Sequence, residues 1–372
     1  MPRKILILVS DMGSGGAERV AANLVNAWAA RGDSVTLLVT YSGRGECFYQ
    51  LTDNVNLIYL ADIAECSGHG LLDYYRRLKA LRCIIRDLRV DVVVSFLTNV
   101  NVASLLAVRG LDQHIIVVEH TYPPMSHTGL FWDILRILTY PYASYVVMLT
   151  SEGLGWLNDR IPRARGTVIP NPVPYPLTAF EPILVPESLV TADRKLLLAV
   201  GRMNEGKQFG LLIDAFSRLA ELRQDWDLVI LGEGSLREAL ELQIQTSGLE
   251  KRVYLPGRAG NVGDWYRRAD LYVMSSRYEG FPMTLAEAMA HGCAAVSYDC
   301  DTGPRDIIRH GVDGLLINPV SDVPALASAL DQLMRDNKTR ERMGQRAIEV
   351  RTRYSLESIL AIWDKLFDEM TT

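Results

Sequence analysis

Two glutamates eight positions apart, Glu279 and Glu287, bracket Gly280, Phe281, Pro282, Met283 and Thr284. An apolar run at 271–274 precedes them, and a stop signal at His291 and Gly292 follows. This order predicts a strand, a loop and a short helix. The first carboxylate then lies on the loop at the sheet edge, and the second about two turns into the helix. Between them, the free N–H groups of a helix N-terminus favour a diphosphate. A nucleotide-sugar uses all three features: hydroxyls at one end, phosphates in the middle, ribose at the other. The same spacing also arises on ordinary helices, so alone it leaves both readings open.

Other turns carry compatible chemistry. Gly13, Gly15 and Gly16 follow a first apolar run and precede a helical pattern, a place where backbone can approach a phosphate or sugar. A dinucleotide fingerprint needs glycine where Glu18 stands, so the turn does not point to NAD. Arg202 and Lys207 follow the run at 195–200. They offer a planar fork and a point charge for phosphate oxygens, or are two solvated cations. Gly232 and Gly234 close one later run, and Pro256, Gly257 and Arg258 another; each is a turn where a base could rest or a simple reversal. His120, after Glu119, ends a run in the first half and is a candidate for sugar contact or charge stabilisation. Asp299 and Asp301 have an Asp-x-Asp spacing suited to a metal bridging a diphosphate, but the cations at 202 and 207 make a metal redundant.

These turns need elements to hold them. Apolar runs at 5–9, 34–39, 90–95, 114–119 and 144–149 alternate with helical patterns, and a second series occupies 195–200, 226–231, 253–255, 271–274 and 294–298. A helix is expected over 211–222. Such alternation predicts an α/β fold of two doubly wound, Rossmann-like domains, each binding ligand at the carboxyl ends of its strands. The proline-rich stretch 169–177 separates them. The domains are expected at 1–172 with a C-terminal helix at about 355–372, and at 173–354.

The 372 residues carry a net charge of −5, split as +1 over 1–172 and −6 over 173–372, which is no nucleic-acid signature. Five scattered cysteines, without a CxxC pair, favour reduced thiols and the cytosol. The apolar start is too short for a signal peptide, and no run approaches the ~20 residues that span a bilayer. One stretch, 76–89, places Leu78, Leu81, Ile85 and Leu88 on one helical face and Arg76, Lys79, Arg82, Arg86 and Arg89 around the rest. It suits an anionic lipid surface, or is a core-facing helix with a solvated basic side.

In order and spacing, Gly15 with Gly16, Gly201 with Arg202 and Lys207, Pro256 through Arg258, and Glu279 through Glu287 resemble the family 4 retaining glycosyltransferases of GT-B fold. The likeness spans essentially the whole chain. The run Ser14 through Val20, residues 94–97, Glu119 with His120 and the basic stretch further resemble a bacterial subgroup. That subgroup includes N-acetylgalactosaminyltransferases that extend undecaprenyl-diphosphate-linked oligosaccharides; relatives in O-antigen and exopolysaccharide synthesis use other sugars. Two departures stand out: Gln208 where the family often has glycine, and the segment 297–306, with Gly303 and Arg305, where many members have a glycine pair.

The resemblance implies transfer of a hexose or N-acetylhexosamine, GalNAc as the best single choice, from a UDP-sugar to a lipid-linked saccharide with retained configuration. It implies that Glu287 accepts the ribose hydroxyls and that turns near Gly234 and Arg258 hold the uracil. Arg202, Lys207 and the backbone from Phe281 and Pro282 to Met283 and Thr284 take the diphosphate, and Glu279 grips the sugar. Gly15, Gly16 and His120 close over the donor from the facing domain. It also implies no cofactor and no metal, a final helix that crosses back to the first domain, and a cytoplasmic protein peripheral on the inner face of the membrane. The alternatives are a UDP-sugar epimerase or hydrolase of the same fold, or a non-catalytic nucleotide-sugar-binding partner.

Overall fold

The computed structural model describes residues 2–13, 15–40, 45–64, 70–125 and 129–371. Ser14 and Cys66 lie outside the described residues. The chain divides into two compact units, Met1–Pro172 with Leu356–Thr372, and Val173–Ser355.

The first unit is a seven-stranded parallel sheet in the order β3-β2-β1-β4-β5-β6-β7. Its strands are β1 (Lys4–Val9), β2 (Ser34–Val39), β3 (Val55–Tyr59), β4 (Val92–Phe96), β5 (Ile115–Glu119), β6 (Tyr145–Met148) and β7 (Gly166–Val168). The central strands are apolar on both faces, as burial under helices on two sides demands. Ile5 pairs with both Val35 and Val92, so the chain leaves β1 in one direction and β4 in the other, opening a crevice at their carboxyl ends. The helices are α1 (Gly16–Ala30), α2 (Leu60–Ala64), α3 (Leu71–Leu88), α4 (Thr98–Val108), α5 (Leu130–Thr139) and α6 (Ser151–Arg160). The helix Leu356–Thr371 returns to this unit and covers α1. Trp28 meets Trp363 edge-on at 5.9 Å, and Arg3 and Arg31 reach Asp364 at 2.9 and 2.7 Å.

The second unit is a six-stranded parallel sheet in the order β10-β9-β8-β11-β12-β13. It comprises β8 (Lys195–Val200), β9 (Trp226–Leu231), β10 (Val253–Gly257), β11 (Leu271–Met274), β12 (Ala295–Tyr298) and β13 (Gly314–Ile317). Its helices are α7 (Phe209–Ser217), α8 (Arg237–Thr246), α9 (Val262–Arg268), α10 (Met283–Ala290), α11 (Pro304–Ile307), α12 (Val323–Arg335), α13 (Asn337–Ala347) and α14 (Val350–Arg353). Helix α7 starts and stops earlier than the apolar pattern at 211–222 suggests. Beyond Ser217 the Arg252 guanidinium takes the carbonyls of Ala220 and Arg223, which a continuing helix would keep for itself. The β1–β4 and β8–β11 neighbourhoods are the switch points, and the sequence-selected turns follow these strands.

Candidate active site

In the second unit, the turn after β8 is set by close backbone contacts. A Cβ on Gly232 would stand 1.9 Å from the Gly201 carbonyl oxygen, and one on Gly234 2.2 Å from that of Met203. Packing against the β8 turn therefore requires glycine at 234. The Asn204 side chain accepts from the Lys207 N–H at 3.2 Å, and the Ser275 hydroxyl donates to the Lys207 carbonyl at 2.7 Å. Gln208 adopts the left-handed conformation, φ 51° and ψ 38°, so the residue that departs from glycine still makes the glycine-like turn.

This turn aims Lys207 at Glu279. Nζ and Oε1 are 2.5 Å apart, with both side chains partly buried. A lysine ammonium has three donors. One engages Glu279, leaving two directions for an anion. Behind Glu279, Thr302 donates to its carbonyl. Gly303, at φ 96°, lets the backbone pass under Pro282, where a Cβ would lie 2.5 Å from the ring. The segment 297–306 thus buttresses the Glu279 loop from below, a role its sequence did not disclose.

Pro282 is the N-cap of α10, and no side chain caps this terminus. Phe281 and Pro282 are buried, and the Phe281 ring turns inward onto Tyr354 at 5.2 Å. From 281 to 284, only Met283 and Thr284 have partly exposed side chains; Phe281 and Pro282 can offer backbone alone. The Tyr272 hydroxyl donates to Thr284 Oγ1 at 2.9 Å, and burial followed by the nearby Glu279 charge pushes that phenol up, so it stays protonated. Glu287 is almost fully buried, and Tyr266 donates to its Oε2 at 3.2 Å. The His291 Nδ1–H donates to the Glu287 carbonyl at 2.8 Å, and burial, with Arg351 and Arg267 adding to it, lowers its pKa to about 4. Arg202 and Arg258 are exposed at the ends of their strands.

In the first unit, Gly15 caps α1, its carbonyl accepting from the Tyr49 hydroxyl at 3.0 Å. A Cβ on Gly16 would meet nothing within 4 Å, so packing does not require glycine there. His120 packs its ring on Phe96 at 4.4 Å, and burial lowers its pKa to about 3. Burial thus favours the uncharged imidazole near neutral pH, which can still hydrogen-bond a sugar hydroxyl. Glu119 faces a buried network with Arg136, Thr98 and Tyr140 instead of solvent. Helix α3 covers the basic stretch, with Leu81 and Ile85 inward. Arg82 is not free for lipid, because it donates to the carbonyls of Ala107 and Arg109 at 2.7 and 2.8 Å. Asp299 pairs with Arg305 at 2.9 Å, and no cluster of metal-ligand type occurs among the described residues.

Two family models match in succession: Glycosyltransferase Family 4 over residues 14–175 and Glycosyl transferases group 1 over 182–350. The lipopolysaccharide 1,6-galactosyltransferase of Salmonella typhimurium is 35% identical over 328 residues, 82% of this chain and 83% of that one. The chain belongs to glycosyltransferase family 4. This transferase is also 27% identical over 370 residues, 99% of each chain, to a Campylobacter jejuni enzyme. That enzyme is named as an N-acetyl-D-galactosaminyltransferase for a GalNAc-containing diNAcBac-PP-undecaprenol. In fold it matches the Anabaena protein HepE in complex with UDP and glucose, with TM-score 0.79, 19% identity and 98% and 99% of the two chains covered. Its two sheets are those of the GT-B architecture.

For a transferase of this family, the second-unit geometry has a direct chemical meaning. A fixed ammonium, an uncapped helix N-terminus and an exposed guanidinium near one strand edge can neutralise a leaving diphosphate. A carboxylate held against the ammonium can meet sugar hydroxyls. Sequence reasoning found the charged groups because their types announce them. It missed Thr302, Tyr266 and Ser275, which hold those groups and carry no spacing signal of their own.

Proposed function

We propose that this transferase moves a hexose or N-acetylhexosamine, best matched by GalNAc, from a UDP-sugar to an undecaprenyl-diphosphate-linked saccharide with retention of configuration. The carrying observation is the Lys207–Glu279 pair at 2.5 Å, three residues ahead of the uncapped Pro282 terminus. Lys207, Arg202 and the backbone at Met283 and Thr284 bind the diphosphate. Glu279 takes sugar hydroxyls, and its charge favours an oxocarbenium-like transition state. Glu287, oriented by Tyr266, accepts the ribose hydroxyls, and Arg258 borders the base. In the first unit, Gly15, Gly16 and His120 are the residues assigned to substrate contact. The leaving diphosphate assists deprotonation of the acceptor hydroxyl on the same face of the sugar. No metal takes part.

Support for the lipid-linked acceptor comes from the Campylobacter and Salmonella relatives, and for UDP from the HepE complex. No helix among the described residues is long and apolar enough to cross a membrane. An acceptor held in the membrane is the reason the proposal puts this protein peripherally at the inner face of the cytoplasmic membrane. A panel of UDP-sugars, offered with undecaprenyl-diphosphate saccharides with and without chelator, tests it by mass spectrometry of the products. Chelator-insensitive glycan extension is expected. Free sugar released without any extension would instead identify a hydrolase.

A further inference from the structure

Helix α5 is apolar on both sides: Trp132, Leu135 and Ile137 pack on the core, yet hydrocarbon also faces outward. Its inward face carries Arg136, only 2% exposed, whose guanidinium meets Glu119 at 2.9 Å and Thr98 Oγ1 at 2.9 Å. Its outward face carries Leu130, Phe131, Ile134 and Leu138, which are 76%, 66%, 48% and 60% exposed. Surface helices place hydrocarbon inward and charge outward. A contiguous exposed apolar stripe marks an interaction surface. A second observation continues it: the groove between α4 and α5, about 470 Å³, is mainly apolar and runs beside Leu138 to Tyr142, itself 70% exposed.

The neighbouring helices set the context. α3 packs on α4 and α4 on α5, so the three form one layer. Helices of a parallel sheet run against the strands, so the N-terminal ends of α3 and α5 lie at the carboxyl edge of the sheet, where His120 also lies. At that end α3 exposes Leu71, Leu72 and Tyr75, followed along the same helix by exposed Arg76 and Lys79. Hydrocarbon at the tip, with cations behind it, is complementary to an anionic bilayer surface. A second copy of the chain fits less well, because a two-fold contact through this layer would bring the same cations together.

We propose that α5 is the membrane-inserting element of this protein: its Leu130, Phe131, Ile134 and Leu138 stripe enters the acyl boundary of an anionic bilayer, while the α3 cations hold the headgroups. This extends the lipid-linked acceptor reading, but its test uses no sugar. Intact protein is floated with vesicles of phosphatidylcholine, and of phosphatidylcholine with phosphatidylglycerol. Wild type is expected to float with both, and more with the anionic ones. The variant Leu130→Ser/Phe131→Ser/Ile134→Ser is expected to lose roughly tenfold or more in partitioning at both low and high salt. Arg76→Gln/Lys79→Gln is expected to lose binding only to anionic vesicles and only at low salt. Phe131→Glu, a single change at an exposed site, provides the same reading should the triple variant fold poorly. Equal flotation of wild type and both α5 variants overturns the proposal. So does a concentration-dependent dimer in vesicle-free sedimentation that the α5 changes abolish. Transfer to a short-chain, water-soluble acceptor is expected to survive the α5 changes. Its absence in wild type, with flotation intact, counts against the acceptor reading alone.

Discussion

At the carboxyl edge of the second sheet, Lys207 and Glu279 sit partly open, on turns that glycine contacts hold at backbone precision. In the α3–α4–α5 layer of the first unit the arrangement reverses: Arg136 and Glu119 are each 2% exposed and hydrocarbon faces outward. Each region is organised around a cation–glutamate pair. In the second unit the pair is available to a ligand. In the first it is sealed, with burial and then the Glu119 charge keeping the Tyr140 phenol protonated beside it. A cation–glutamate pair is thus open to a ligand where backbone N–H groups and solvent reach it. Where neither does, it fixes the orientation of a helix.

Removing one side of each pair separates the two roles. Arg136→Leu leaves Glu119 charged and buried, and is expected to cost about 3–5 kcal/mol of stability by denaturant unfolding. Arg136→Leu/Glu119→Leu should recover much of that loss. If Arg136→Leu instead left stability unchanged, the sealed pair would not be what orients α5. In the second unit, Lys207→Ala and Glu279→Ala are expected to lower turnover on the order of 10²–10³-fold while the melting temperature stays within a few degrees. A large fall in melting temperature with activity retained would move that pair into the structural class.

Smaller effects sharpen the contrast further. His291 is uncharged in the folded chain at pH values where an unfolded histidine, with a pKa near 6.5, begins to take a proton. Between about 6.5 and 4 the unfolded chain binds more protons, so stability falls as pH falls through that window. His291→Asn keeps a donor for the Glu287 carbonyl and should flatten this acid limb in a melting series; an unchanged slope assigns it to His120 instead. The least change is expected from Gln208→Gly. Relief of the left-handed φ is offset by the greater freedom of the unfolded chain and by loss of the 2.8 Å bond to Ser321. The net shift should stay within about 1 kcal/mol, and a larger loss would show that the Gln208 side chain, not its turn, matters.

The contrast also explains what was legible in the sequence. Arg202, Lys207, Glu279 and Glu287 were readable because each follows a strand run or opens a helix, and short-range order places such residues. The doubly wound fold was readable for the same reason. Strands β3, β7 and β13 lie at sheet edges, and the short or half-exposed segments 55–59 and 166–168 give weak periodicity. The Arg136–Glu119 pair was invisible: it joins residues 17 positions apart, and an apolar stripe on a helix reads as the core face unless the opposite face is known to be satisfied. The surroundings of His120 were hidden as well, because a polar type at a strand end says nothing of the Phe96 ring packed against it.

The return of Leu356–Thr371 to the first unit makes the second unit an insertion within the first. During synthesis, the Trp28 face of α1 waits for Trp363 and Phe367 while the 183 intervening residues are made, about 10–40 s at ordinary elongation rates. The second unit, continuous in sequence, has all of its own core residues before the helix Leu356–Thr371 is made. The half that begins the polypeptide is thus the last to be completed.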